Sequence, residues 1–157
     1  MKDLRISRPK SEADFVEAVI QPLATALGQA SAAGDSRKVL SSLTRGQKLL
    51  LGYFTYWDDV TNGGHSQYFG NYTGDLWPEA LEATEALRLP EEPILRKAVA
   101  LFPESKPAGT PAERQEQLEN IDTDKLDELD EQFNEGPGSA GQLQEFIAAH
   151  PDEFFLG

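Results

Sequence analysis

Two histidines and a dense set of carboxylates near the C-terminus are the residues whose types and spacing bear on chemistry. His65 and His150 each lack a second histidine three or four residues away, so no zinc site is expected. His150 closes an apolar helical pattern and reads as a favourable C-terminal cation or a rim residue. His65 lies in a Gly-rich stretch, but the acids that could orient it as a general acid or base, Asp58, Asp59 and Asp75, are dispersed. The run Asp122-Thr123-Asp124-Lys125-Leu126-Asp127 imitates the start of a calcium loop, yet its sixth position is not Gly and Phe133 occupies the twelfth, where Glu belongs. With no cysteine there is no thiolate nucleophile or thiolate metal site, and no phosphate loop, dinucleotide glycine pattern or serine elbow occurs. No catalytic residue, metal or cofactor is therefore expected, and the chain reads as a binding protein rather than an enzyme.

The carboxylates point to a different chemistry. Of a formal net charge of −13, residues 1–50 hold eight Lys/Arg against five Asp/Glu, residues 51–110 four against nine, and residues 111–157 two against thirteen. Such a C-terminal third repels nucleic acid and anionic membrane and attracts basic surfaces, including the DNA-binding faces of other proteins. The candidate partner-binding residues are Glu113, Glu116, Glu119, Asp122, Asp124, Asp127, Glu128, Asp130, Glu131 and Glu135. Asp127, Glu131 and Glu135 recur at four-residue spacing, and like charges so placed weaken a helix by about 0.2–0.5 kcal/mol per pair. A row of this kind is a local conflict of the sort found at functional surfaces. The bland alternative is a solvated face with no charge-driven partner.

The elements that must position these groups are helical. Apolar residues recur at three- and four-residue spacings with almost no alternating β-branched runs, so the expected fold is an all-α bundle of about six to eight helices. One all-helical unit spanning 1–157 is expected, with an N-terminal helical segment over 1–35 and a core over 40–155. Ser11 caps a first helix facing inward through Phe15, Val19, Ile20, Leu23 and Leu27, which Pro22 should kink or restart. Thr44 and Gln47 have capping-box spacing and open the most apolar helix, with Leu49, Leu50, Tyr53, Phe54, Trp57 and Val60 as its stripe. Gly52 inside that stripe predicts a close helix crossing, and Asn62-Gly63-Gly64 predicts the helix end.

Asp75 and Pro78 start a further helix that faces inward through Trp77, Leu81, Thr84 and Leu87. Leu95, Ala98, Val99 and Phe102 mark the next, and Ser105–Gly109 reads as a mobile loop. Thr110, Pro111 and Glu113 form the clearest helix start. The acidic helix from Asp122 to Glu135 buries Leu126, Leu129 and Phe133, and Ser139 with Gln142 opens a last helix before Phe154-Phe155-Leu156 docks.

The ordered combination Asn62-Gly63-Gly64, Gln67-Tyr68-Phe69 and Asn71, followed by Leu101-Phe102-Pro103 and Leu126–Phe133, resembles the pattern of a bacterial family related to a described DNA-mimic protein. The resemblance covers roughly residues 40–155. It implies an all-α domain whose motif residues Asn62, Gly63, Gly64, Gln67, Phe69 and Asn71 carry fold. It also implies a relative that occupies the DNA-binding surface of a transcription factor. A 14-residue helix is about 21 Å long, a length of duplex that carries roughly twelve phosphates. Asp122 to Glu135 offers seven carboxylates, so approaching duplex density requires the acids at 113, 116 and 119, with the second subunit of a homodimer as one further source of charge.

The expected function is an acidic binder whose partner is a basic DNA-binding protein, with no direct nucleic-acid or membrane contact. Two alternatives stand beside it: an immunity or antitoxin protein masking a nuclease, and an enzyme of unknown type using His65, Gln67 and Asn71. The absence of cysteine and of an apolar run behind the basic residues of Met1–Lys10 makes the cytoplasm the expected compartment.

Overall fold

The computed structural model describes residues 2–157, so Met1, the first residue of the expected unit, lies outside the described residues. The described chain is all-α. Its helices are α1 (Phe15–Ala32), α2 (Arg45–Gly70), α3 (Trp77–Ala86), α4 (Glu92–Ala100), α5 (Pro111–Leu118), α6 (Thr123–Glu135), α7 (Ala140–Ala149) and the single turn α8 (Pro151–Phe154). Short 3-10 segments precede α1 and α3 and fill Ser36–Ser42 and Pro103–Ser105. None of these helices is long and apolar enough to cross a membrane.

The centre of the bundle is α2. Its start is fixed by a full capping box, in which Thr44 accepts from the Gln47 N–H at 3.2 Å and the Gln47 side chain accepts from the Thr44 N–H at 2.9 Å. The first half of α2 supplies Leu49, Leu50, Leu51 and Tyr53 to a core shared with α1, α7 and α8. The second half supplies Tyr56, Val60, Tyr68 and Phe69 to a core shared with α4 and α6. The crossing expected at Gly52 is present, because a Cβ there would lie 2.8 Å from the Ala80 nitrogen and the Glu79 carbonyl carbon. The missing side chain is what lets α3 lie against α2.

Several expectations are corrected. The helix runs through Pro22 instead of restarting there, and it is preceded by Glu12–Asp14, so the 1–35 segment is helical only from Glu12. Residues before it run outside any helix, where Ile6 pairs with the C-terminus: its N–H donates to the Phe154 carbonyl at 3.0 Å and its carbonyl accepts from Leu156 at 2.9 Å. Phe154 and Phe155 dock as expected, whereas Leu156 stays exposed. Trp57 is not part of the core stripe; it is 38% exposed. Asp75 does not cap α3, which follows a 3-10 turn at Tyr72–Leu76. Ser139 precedes α7 without capping it, and its hydroxyl donates to Glu91.

The loop at 105–109 is pinned. Pro107 is buried and its carbonyl accepts from the Trp77 indole at 3.2 Å, while the Ala108 N–H donates to Gln117 at 2.8 Å. Each bond satisfies a backbone group that the loop could not otherwise pair, so the chain is held although no helix contains it.

Two predictions follow from packing and burial. In Gly52→Ala the new methyl meets backbone atoms of α3, and the fold should lose about 2–3 kcal/mol in denaturant unfolding despite the better helix propensity of Ala. Burial pushes the phenols of Tyr53, Tyr56 and Tyr68 above their ordinary value of 10.0. Above pH 10 the unfolded chain releases these protons while the native chain keeps them, so stability present below pH 10 should fall as pH rises beyond it. Absorbance near 295 nm should show these three tyrosines ionising only together with unfolding.

Candidate acidic interaction face

Helix α5 is aimed by a buried cation. Thr110 caps it, accepting from the Glu113 N–H at 3.4 Å and donating its hydroxyl to the Glu113 carboxylate at 2.8 Å. One residue further on, the Arg114 side chain is fully buried and every one of its nitrogens is used. Nε donates to the Phe69 carbonyl at 2.7 Å, Nη1 to the Ala108 carbonyl at 2.9 Å, and Nη2 to the Asn71 carbonyl at 2.8 Å and to Asp75 at 2.6 Å. Ser36 also donates to Asp75, so that carboxylate is doubly held. A buried guanidinium is tolerable only when its donors are satisfied in this way. Fixed over the end of α2, α5 leaves Glu113 and Glu116 exposed, with Glu119 exposed just past its last turn.

Helix α6 is aimed by a part-buried carboxylate-to-amide contact. Asp122 caps it by accepting from the Asp124 and Lys125 N–H groups at 3.1 and 3.3 Å. Leu126, Leu129 and Phe133 face inward, where Phe133 meets the Tyr56 ring edge-on with centroids 5.6 Å apart. Asp130 turns toward α2 as well. The helix that was expected to end at Asn62-Gly63-Gly64 instead breaks there, with Gly63 at φ −154° and Gly64 at φ 79°, and resumes to Gly70.

The break frees the His65 N–H, which donates to Asp130 Oδ1 at 2.8 Å, while His65 Nδ1 lies 2.5 Å from the same oxygen. Because a carboxylate only accepts, Nδ1 carries the proton, and Nε2 pairs with the Tyr56 hydroxyl at 2.8 Å. A Cβ on Gly64 would collide with the Asp130 carboxylate, which together with the positive φ requires glycine.

Of the ten expected partner-binding carboxylates, nine are exposed: Glu113, Glu116, Glu119, Asp122, Asp124, Asp127, Glu128, Glu131 and Glu135. Asp130 is the correction, since its carboxylate is committed to His65. Among the described residues, no Lys or Arg forms an ion pair with any of the nine. On α3 and α4 the acids are matched: Glu79 with Arg37, Glu82 with Arg45, Glu85 and Glu92 with Arg96. The two acidic helices have separate mounts, α5 on the end of α2 and residues 72–76, α6 on α2 and α4. On α6 itself the outward carboxylates are Asp124, Asp127, Glu128, Glu131 and Glu135, with Asp122 at its cap.

Four of the six motif residues, Gly64, Gln67, Phe69 and Asn71, make close contacts within the fold. Phe69 is fully buried against Phe102 with centroids 4.6 Å apart, Gln67 donates to Asp59 at 3.3 Å, and Asn71 offers its carbonyl to Arg114. Thr73 donates to the other Asp59 oxygen, while burial and the neighbouring Asp59 raise the carboxyl of Asp58. Asn62 and Gly63 are exposed at the break. His65 is wholly buried, so the expected His65, Gln67 and Asn71 constellation does not assemble around an open site. His150 is exposed at the end of α7, its Nδ1 2.9 Å from the Phe146 carbonyl.

A family model described as DMP19-like protein matches residues 41–150, the span that contains α2 to α7 and both acidic helices. The chain belongs to the DMP19-like protein family. The family is one of DNA mimics. No curated protein and no solved structure matches the chain. The DMP19-like span begins just before the capped start of α2, so the break at Gly63–Gly64, Arg114 and the Asp130 contact all lie within it.

Sequence reasoning missed Arg114, and missed Glu91 with its two hydroxyl donors. The signal for Arg114 was its place three and four residues from Pro111 and Leu118, on the inward side of an otherwise polar helix. Asp130 carried the same signal, four residues after Leu126 and three before Phe133 on the inward side of α6. Asp130→Ala should cost about 2 kcal/mol or more by stranding the His65 amide, and hydrogen exchange at that amide should lose its protection. Asp127→Ala, which removes only an exposed like charge, should stay within about 0.5 kcal/mol of the parent.

Proposed function

We propose that this DMP19-like chain is a DNA mimic that occupies the basic nucleic-acid-binding surface of a protein such as a transcription factor, using the exposed carboxylates of α5 and α6. The observation that carries the reading is the contrast in pairing: acids on α3 and α4 are matched internally, whereas the nine on and beside α5 and α6 have no Lys or Arg partner among the described residues. Unmatched carboxylates on rigid mounts keep their field available to a partner, as phosphates do. The DNA-mimic character of the family supports the same reading.

We read the chain as a binder and not a catalyst. Both histidines are engaged, one wholly buried, and the only expected catalytic constellation is dispersed.

The test is capture of partners from host lysate on immobilised protein, with elution by rising salt and by duplex DNA. Raising ionic strength from about 0.1 to about 1 M shortens the screening length from about 10 to about 3 Å, so captured DNA-binding proteins should elute steeply. They should also be displaced by duplex, and be absent from the Asp127→Lys, Glu131→Lys, Glu135→Lys variant. A partner that binds duplex DNA and this protein at the same time would overturn the proposal.

A further inference from the structure

Two of the exposed carboxylates of α5 do more than face solvent. Glu113 and Glu116 line a groove of about 460 Å³ between the end of α4 and α5, so the groove and the acidic face share residues. Its apolar lining includes Leu101, Phe102 and Ile121. Phe102 is buried, whereas Leu101 and Ile121 are half-buried, packed against the core and still in contact with the groove. Ala108 also lines it, and both its backbone groups are tied to α5: the N–H donates to Gln117 at 2.8 Å and the carbonyl accepts from Arg114 at 2.9 Å. This part of the wall is fixed before any partner arrives.

The charge of the groove has one sign. Glu113 and Glu116 are its charged lining residues, and among the described residues neither has a Lys or Arg partner. Leu101 is the C-cap of α4, and Asn120 follows Glu119, the C-cap of α5, so the groove lies at the negative ends of two helices. The positive end of α5 is muted. Pro111 has no N–H, Thr110 takes those of Glu113 and Arg114, and Ala112 does not line the groove. The Thr110 hydroxyl also donates to Glu113 Oε1 at 2.8 Å, which fixes that carboxylate in place. Lys106, in the loop before α5, is exposed and does not line the groove.

Apolar lining beside two carboxylates complements a side chain with a long aliphatic stem and a cationic head. Lysine and arginine are built this way, laying their methylenes along apolar surface while the head keeps its charge exposed to a counter-charge. A cation on a short stem would leave Leu101 and Ile121 wet, and a purely apolar side chain would leave both carboxylates unmatched.

We propose that the groove between α4 and α5 receives a lysine or arginine side chain of the basic partner, its stem over Leu101 and Ile121 and its head at Glu113 and Glu116. The inference rests on the partner reading above and adds a requirement for stem length. Exposed carboxylates attract any polycation, whereas the groove distinguishes cations by what carries them.

The test measures binding of three synthetic peptides to the full chain by anisotropy. All carry the same four flanking diaminobutyrates, which supply charge on short stems, and they differ at one central position: lysine, diaminobutyrate or norleucine. The lysine peptide should bind about tenfold more tightly than the diaminobutyrate peptide, the worth of two buried methylenes. It should bind about threefold more tightly than the norleucine peptide, the worth of an exposed ion pair. In about 1 M salt the second ratio should collapse and the first persist. Glu116→Gln, an exposed change, should lower only the second ratio, and Ile121→Ala only the first. In the parent, lysine-peptide binding should shift the backbone amide resonances of Ala108 and Ile121. Equal affinities of the lysine and diaminobutyrate peptides for the parent, or amide shifts confined to α6, would overturn the proposal. The two readings fail separately. A captured partner that holds this protein and duplex DNA together sinks the mimic reading and leaves the peptide ratios standing, whereas equal peptide affinities sink the groove and leave charge-dependent capture standing.

Discussion

A peptide N–H laid bare inside a helix bundle must find an acceptor, and the break in α2 creates one such group at His65. Asp130 reaches it from α6 and takes the imidazole N–H as well, so one carboxylate satisfies two donors and joins the helix that forms the core to the helix that carries the charge. The contact is strong because an ionised acceptor meets the backbone and ring N–H groups of a wholly buried residue. Its geometry leaves no room for a side chain at Gly64. The direction of α6, and with it the outward aim of Asp127, Glu131 and Glu135, follows from this contact and from the three apolar side chains beneath it.

Arg114 does for α5 what Asp130 does for α6, with the opposite charge. It ties together the end of α2, the loop before α5 and the turn before α3 through three carbonyls and Asp75. Both acidic helices are thus mounted by a single ionic side chain turned inward while their neighbours turn out. That arrangement resolves the conflict posed by a like-charged row. The row weakens α6 by a few tenths of a kcal/mol per pair, and tertiary contacts far larger than this hold the helix in place. The repulsion is retained at the surface, where it can be relieved by a cationic partner.

The internal pairing of the acids on α3 and α4 sharpens the same division. Arg37, Arg45 and Arg96 neutralise carboxylates of α3 and α4, and these exposed pairs add little stability. Their effect is on the field. Negative potential is reduced over α3 and α4 and left uncompensated over α5 and α6.

Composition and periodicity by themselves determined the all-α class, the capped starts at Thr44 and Thr110, the close crossing at Gly52, the inward set Leu126, Leu129 and Phe133, and the exposure of nine of the ten candidate carboxylates. These are local or short-period properties: caps act within three residues, and one side of a helix is set by its own spacing. Tertiary structure alone decided which groups Asp130 and Arg114 meet on the inward side of their helices, that His65 is buried, that Ser139 serves Glu91 instead of capping α7, and that Trp57 is left in solvent. Each of those outcomes depends on a partner 39 or more residues away or, for Trp57, on the lack of one. A polar side chain carries no local mark of whether a distant amide, carbonyl or carboxylate will need it once the helices have packed.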